Sequence, residues 1–306
     1  MRKSVSVVIV TYNSEKHIFD CLDSLFTYND IEDELEVIIV DNQSFRFVDT
    51  RNQLEQKYGN KLIIIQNDRN GGYGQGNNVG IEASSAPIIM IMNPDVRLVQ
   101  PVFKRALDAF KDQRVVQFGM QQLDKEGNRA YSFAVSSSIH PIIGLPLTGL
   151  CNKLNLFIPS IMFVVGACFF IRKSSLKKIG MFDERLFMYM EEDDIQYRLM
   201  KRIKNATIKY DKTLGYAHLH GMYSEKKDEN FTYEKTALKN NLLINGERGL
   251  SERAIINREI IWNRLFVIKE EIVNLIPCSP ETKQHITHLR SWLKQIRAIK
   301  TGESQL

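Results

Sequence analysis

Short apolar runs alternate with helix-spaced ones along the first third of the chain. Residues 5–10, 35–40, 62–66 and the run opening at residue 88 are mostly apolar and bounded by polar turns. Such runs fit strands buried on both faces of a parallel sheet and are too short for a membrane span. Between them, Ile18, Leu22, Leu25 and Phe26 recur at helical spacing behind Ser14, which can cap the helix. A second helix is expected over residues 50–58 and a third ending near residue 84. Alternating strands and helices predict an α/β fold with a mainly parallel sheet and right-handed crossovers.

The stretch 88–96 reads IIMIMNPDV. Proline cannot donate to a ladder, so Pro94 ends the strand and leaves Asp95 just past its carboxyl end. Ligands bind at that edge in open α/β sheets. Taken alone, such an aspartate is as readily a turn former or a cap. Two more strand ends carry polar side chains, Thr11-Tyr12-Asn13 after the first strand and Asp41 after the second. Each is ordinary turn chemistry alone, whereas on neighbouring strand ends they define a crevice suited to a base or ribose.

The run Asn70-Gly71-Gly72-Tyr73-Gly74-Gln75-Gly76-Asn77-Asn78 follows the third strand. It differs from the dinucleotide fingerprint in spacing (Gly74, Gly76, Gly80) and in place, since that fingerprint belongs to the first βα turn. Two readings stay open: a plain loop and helix start, or backbone brought close to a diphosphate or base.

Further on, a helix runs from Pro101 to about residue 110, then a strand at 115–120 and a turn at 124–127. Residues 131–159 are the least regular part of the chain, an excursion expected near the acceptor side. A buried strand at 161–171 and a short helix ending at Gly180 precede YMEEDDIQYRL. Ile195 and Leu199 are four apart, so the acidic cluster opens a helix and complements its dipole. Asp194 and Arg198 are spaced to pair. Four consecutive carboxylates exceed what capping requires, and crowding raises the pKa of at least one, which suits a base. Short strands at 208–210 and 214–217 lead to His218-Leu219-His220, of which at most one histidine faces a given side. Beyond Tyr233, Ile256, Ile260, Ile261, Leu265, Ile268 and Ile272 form one helical stripe, and Ile286, Leu289, Leu293 and Ile296 another. These helices pack on the catalytic domain or on a twin chain as a homodimer, or lie with their basic faces on an anionic membrane surface.

Composition narrows the classes. A chain of 306 residues, 43% hydrophobic and 25% charged, is ordinary for a globular enzyme. A net charge of +5 and a pI near 8.9 suit an anionic ligand but are too weak for a nucleic-acid partner. Cys21, Cys151, Cys168 and Cys278 form no CxxC pair, so a reducing compartment is expected. The N-terminal MRKSVSVVIV lacks a cleavage site and reads as a strand. The expected location is the cytoplasm, free or at the inner face of the cell membrane.

In order, SVVIVTYNSEKHI, EVIIVDNQS, NGGYGQGNNVGI, MNPDV, GACFFIRKSSLKKIGMFDE and YMEEDDIQYRL resemble the GT-A-fold glycosyltransferases of family 2, especially bacterial rhamnosyltransferase-like enzymes of polysaccharide assembly. The resemblance covers residues 4–225. It implies a GT-A fold over residues 1–232 with a helical extension over 233–306. The implied activity is inverting transfer of a sugar, rhamnose or a UDP-linked hexose, from a nucleoside-diphosphate donor to a glycan or lipid-linked glycan. The family's DxD element falls on Asn93-Pro94-Asp95, leaving Asp95 alone for a divalent Mn2+ or Mg2+. Its nucleotide contacts fall on Thr11, Tyr12, Asn13, Asp41, Asn93 and the loop holding Asn70, Gly71, Gly72, Tyr73 and Asn77. Its catalytic acidic motif falls on Glu191-Glu192, with Glu192 as general base and Asp194 at a further acidic position. Its late histidine, at times a metal ligand, corresponds to His218, with His220 second. The rival readings are a sugar nucleotidyltransferase, a non-catalytic nucleotide-sugar-binding module and, excluded by the misplaced glycines, a Rossmann dehydrogenase.

Overall fold

In the computed structural model the first four apolar runs become four adjacent parallel strands. The structure describes residues 2–219, 231–273, 280–303 and 305–306. The chain runs β1 (Val5–Thr11), α1 (Glu15–Thr27), β2 (Leu35–Asp41), α2 (Phe47–Tyr58), β3 (Leu62–Gln66), α3 (Gly72–Ala83), β4 (Ile88–Met92), β5 (Val96–Leu98) and α4 (Phe103–Ala109). Then follow β6 (Val115–Leu123), β7 (Phe133–Val135), α5 (Pro141–Leu154), β8 (Met162–Val164), β9 (Cys168–Arg172), α6 (Lys173–Ile179), α7 (Glu191–Arg202) and β10 (Thr207–His218). The last helices are α8 (Thr232–Glu247), α9 (Glu252–Val273) and α10 (Pro280–Thr301).

Eight strands form one sheet in the order β3-β2-β1-β4-β9-β6-β10-β5, and β7 and β8 form a separate pair. The sheet is mixed: β9 runs antiparallel to β4 and β6, and β5 antiparallel to β10. Sequence cannot signal that reversal, because a central strand reads as apolar in either direction. It has one large consequence. The amino end of β9 lies at the edge where the parallel strands have their carboxyl ends, and Met92 of β4 is opposite Cys168. The loop ahead of β9 therefore lies at that edge.

The sheet is packed on both faces. Val5, Val7 and Ile9 of β1 point to one apolar layer with Ile18, Leu22 and Leu25 of α1. Val8 points to the other, with Ile81 of α3 and Ile89 and Ile91 of β4. This alternation is the period of two that every strand imposes.

Three sequence expectations are revised. The strand expected at 161–171 is two strands in different sheets, broken at Gly166. The stretches 208–210 and 214–217 belong to one strand, β10, whose register on β6 shifts between Asp211 and Gly215. The irregular excursion contains the fourteen-residue α5, with Pro146 inside it.

The chain divides into two compact units, residues 1–134 with 152–224, and residues 135–151 with 225–306. In the second, Leu238, Ile256, Ile260, Val267, Leu289, Trp292, Leu293 and Ile296 form a core of their own. Asn245 Nδ2 donates to Ser137 Oγ (2.8 Å) and Arg258 Nη1 to the Ser138 carbonyl (2.8 Å), which ties the middle segment to α8 and α9. Among the described residues no helix is long and apolar enough to cross a membrane. Cys21, Cys151 and Cys168 are buried free thiols, and Cys278 lies outside the described residues.

Candidate active site

The β1 and β2 ends are locked together. Thr11 pairs with Asp41 in register, and Thr11 Oγ1 donates to Asp41 Oδ2 (3.0 Å). Asp41 also accepts from the Ser44 amide (2.8 Å) and hydroxyl. Ser44 Oγ accepts in turn from the Asn13 amide (2.8 Å), and Asn13 Oδ1 from the Phe45 amide (3.1 Å). Both strand-end turns are thus braced, with Asn13 and Gln43 at positive φ (52° and 65°). Asp41 is buried, yet a carboxylate offers about four acceptor positions, so one remains for a ligand. Tyr12 stands beside it 48% exposed.

Beneath the glycine run lies a buried amide network that sequence reading missed. Asn67 Nδ2 donates to Asn42 Oδ1 (2.9 Å) and to Gln75 Oε1, and Asn42 Nδ2 to the Gly72 carbonyl (3.0 Å). The Asn67 amide donates to the Asp41 carbonyl (2.8 Å). A buried polar group needs a partner, and here three amides satisfy one another. Only a polar residue at an otherwise apolar position of α3, Gln75, hints at this in sequence.

The glycines themselves serve close packing. A Cβ on Gly72, which has φ +84°, would stand 2.7 Å from the Phe187 carbonyl carbon, and the Tyr73 amide donates to that carbonyl (2.9 Å). A Cβ on Gly76 would stand 2.8 Å from Val10 Cγ1. The Gly72 amide donates to Asn70 Oδ1 (3.2 Å), with Gly71 between them half-buried. Asn77 is buried, and its Nδ2 donates to the Tyr73 carbonyl (2.9 Å). The run is therefore the seat of α3 on β1 and on the 182–187 segment.

Past β4, the Asn93 amide donates to the Ala167 carbonyl (2.8 Å), and Asp95 follows one turn on. Its Oδ2 lies 3.3 Å from His218 Nε2, because β5 pairs antiparallel with β10 and places His218 opposite Val96. Both side chains are largely buried. Arg97 Nη1 donates to the Pro94 (3.1 Å) and Val96 (2.9 Å) carbonyls, bracketing Asp95. His220 lies outside the described residues. Among the described residues no group of three His, Cys, Asp or Glu is placed to hold a metal ion.

The acidic helix start divides by role. Met190 is left-handed (φ 77°) and turns the chain into α7. Glu191 is buried at 2% exposure with Oε1 unpartnered, and Glu192 is half-buried. Burial pushes the Glu192 carboxyl up. Burial, then the Glu192 charge, hold Glu191 well above the usual carboxylate range. Asp194 is engaged elsewhere: Arg198 Nε donates to it (2.8 Å), while Arg198 Nη1 donates to the Ile179 (2.9 Å) and Met181 (2.7 Å) carbonyls. The i,i+4 pairing thus forms, and Asp194 braces α7 against the end of α6.

Glu192 lies directly on Gly166, where a Cβ would overlap its Oε1 and stand 2.5 Å from its Cγ. Gly166 precedes Ala167, the residue that receives the Asn93 amide. The loop ahead of β9 therefore touches both Glu192 and the turn that leads to Asp95. Gly166 and Ala167 were not singled out in sequence, since their place depends on the reversal of β9.

The family model described as "Glycosyl transferase family 2" matches residues 6–180. The poly(ribitol-phosphate) beta-glucosyltransferase of Bacillus spizizenii is 35% identical over 92 residues, 30% of this chain and 14% of that protein. The low-salt glycan biosynthesis hexosyltransferase Agl10 of Haloferax volcanii is 28% identical over 204 residues, 65% of this chain and 62% of that protein. The N-acetylglucosaminyl-diphospho-decaprenol L-rhamnosyltransferase of Mycobacterium tuberculosis is 28% identical over 226 residues, 66% and 72% of the two chains. The chain thus spans less than two thirds of the first two proteins. The solved structure of GalNAc-T7 with UDP, GalNAc and Mn2+ superposes with a TM-score of 0.59 at 13% identity, over 79% of this chain and 47% of that one. At that identity the likeness is one of fold.

Proposed function

The chain belongs to glycosyl transferase family 2, and on that premise we propose that it transfers a sugar, with inversion, from a nucleoside diphosphate to a hydroxyl of a glycan or lipid-linked glycan. The donor is a rhamnosyl or hexosyl nucleotide, in keeping with the relatives' named activities. One observation carries the reading: the backbone step Gly166–Ala167 touches the Glu192 side and the Asn93–Asp95 side at once.

Breaking the bond from the sugar C1 to the diphosphate leaves growing negative charge on the leaving group. The acceptor hydroxyl attacks from the opposite face and loses its proton. Glu192 takes that proton: it is less deeply buried than Glu191, and its raised pKa makes it a stronger base than an ordinary carboxylate. Glu191, more deeply buried, stays protonated and keeps a second negative charge away from Glu192.

Asp95 and His218 supply one carboxylate and one imidazole 3.3 Å apart. That donor set fits a divalent cation shared with the donor's diphosphate and water, which is how Mg2+ is commonly held. When bound, the cation neutralises charge on the leaving diphosphate. GalNAc-T7, which this chain resembles in fold, was solved with Mn2+ and UDP. On the other side of the crevice, Asp41 and Asn13 are placed for the base and ribose and Tyr12 for stacking on the base. Thr11 orients Asp41, and Asn70 to Asn77 shape the floor on which this wall rests.

The test is a panel of nucleotide sugars with manganese and candidate acceptors, read by release of free nucleoside diphosphate. With a responsive donor found, Glu192→Gln is expected to lose transfer while binding the nucleotide as before. Normal turnover by that variant would remove the assignment.

A further inference from the structure

Gly166 has no side chain at the point where Glu192 needs room, and its φ is not in the left-handed region. Backbone conformation therefore gives no reason for glycine there; space does. The surroundings are tied down on three sides. Tyr73 Oη donates to the Gly166 carbonyl (2.8 Å), the neighbouring Ala167 carbonyl receives the Asn93 amide, and the Val165 amide donates to the Ser132 carbonyl (3.0 Å). Tyr73 is itself held edge-on against Phe182, with ring centroids 5.9 Å apart.

We propose that Gly166 and Tyr73 are positioning residues for the reaction: bare backbone at Gly166 seats the Glu192 carboxyl, and the Tyr73 hydroxyl fixes that backbone. This rests on the reading of Glu192 as base. It moves Tyr73 from the nucleotide side, where sequence placed it, to the acceptor-activating side. Two observations agree with it. The Gly166 backbone lowers the Glu192 carboxyl against the upward push of burial. Burial and then the Glu192 charge hold the Tyr73 phenol well above its ordinary value, so it stays a donor across the working pH range. The ionisable groups around Glu192 are Glu191 and Asp193 on its own helix, Tyr73 from α3 and Tyr216 from β10.

Gly166→Ala adds one methyl against the far part of a flexible side chain, so Glu192 swings away while the fold is kept. Misplacing a catalytic group by about 1 Å costs on the order of a hundredfold. The expected result is a kcat lowered about a hundredfold, donor affinity within twofold, and an unfolding midpoint near that of the parent. Tyr73→Phe removes one hydroxyl and no packing. It is expected to lower kcat about tenfold at unchanged donor KM, and to move the acidic limb of the pH–rate profile upward as the Gly166 backbone loses its hold beside the Glu192 carboxyl.

Three outcomes separate the ideas. An inactive Glu192→Gln together with impaired Gly166→Ala and Tyr73→Phe supports the inference. An inactive Glu192→Gln with parental kcat and pH profile in Tyr73→Phe overturns it and leaves the base assignment standing, even should Gly166→Ala fail to fold. An active Glu192→Gln overturns both.

Discussion

Asp194→Asn separates support from chemistry in the acidic helix. The Asp194 and Arg198 side chains are 10% and 13% exposed, and the guanidinium also serves two carbonyls at the end of α6. Neutralising Asp194 leaves the buried guanidinium with its carbonyl partners but no counter-charge. Breaking one side of a buried pair costs about 3–5 kcal/mol. The two carbonyls and the amide put in place of the carboxylate keep some hydrogen bonds, so the lower end, about 3 kcal/mol, is expected. For a unit of about 200 residues, each kcal/mol shifts the midpoint by about 2–4 °C, hence a drop of about 6–12 °C. Urea unfolding and donor turnover, both measured well below the lowered midpoint, give the two quantities. The expected result is marked destabilisation with kcat within about threefold of the parent, because Asp194 acts through Arg198. An unchanged midpoint with kcat down a hundredfold or more would refute this and return Asp194 to the reaction itself.

Glu191 holds its proton in the folded state at pH values where the unfolded chain has lost it, so stability falls as pH rises above the ordinary carboxylate value of 4.5. Glu191→Gln is accordingly expected to raise the midpoint at pH 8 and leave it nearly unchanged at pH 4, read by thermal unfolding; equal shifts at both would contradict it. A Cβ on Gly80 would collide with Val8 Cγ1 and stand 3.2 Å from Val40 Cγ2. Gly80→Ala should therefore cost about 1–3 kcal/mol, and Val8→Ala in the same chain should relieve part of that cost. His218→Ala should raise the Mn2+ concentration for half-maximal turnover about tenfold or more without weakening metal-free nucleotide binding. Identical metal titrations would remove His218 from the cation.

Particular residues show what the sequence made legible. The β1, β2 and β4 runs were plain because each is mostly apolar and stops at a polar turn, so Thr11, Asp41 and Asp95 could be placed at one edge before any coordinates. The Asp194–Arg198 pair followed from helical spacing alone. The meeting of Asp95 with His218 was implied by the family resemblance and not by spacing, since it needs β5 to fold back onto β10, more than a hundred residues later. Gly166 was hidden for the same reason: a central strand had to reverse before its preceding loop could reach the crevice. The glycine run left two readings open. Its glycines here relieve collisions with Val10, Val8 and Phe187, and close packing selects the same residue as close approach to a ligand. The helix in the excursion was masked by its own Pro141, Gly144, Pro146 and Gly149, which read as breakers.

Asp95 and Glu192 are held to serve one transition state from two walls of one crevice, and a double-mutant cycle on kcat/KM tests that most directly. Asp95→Asn, Glu192→Gln and the double variant are compared with the parent under one donor, one acceptor and saturating Mn2+. Groups acting on the same transition state lose more singly than their product allows, so the double variant should retain at least about tenfold more activity than the two single losses multiplied. Losses that multiply would mean that the two carboxylates act independently, and a single catalytic centre would be contradicted.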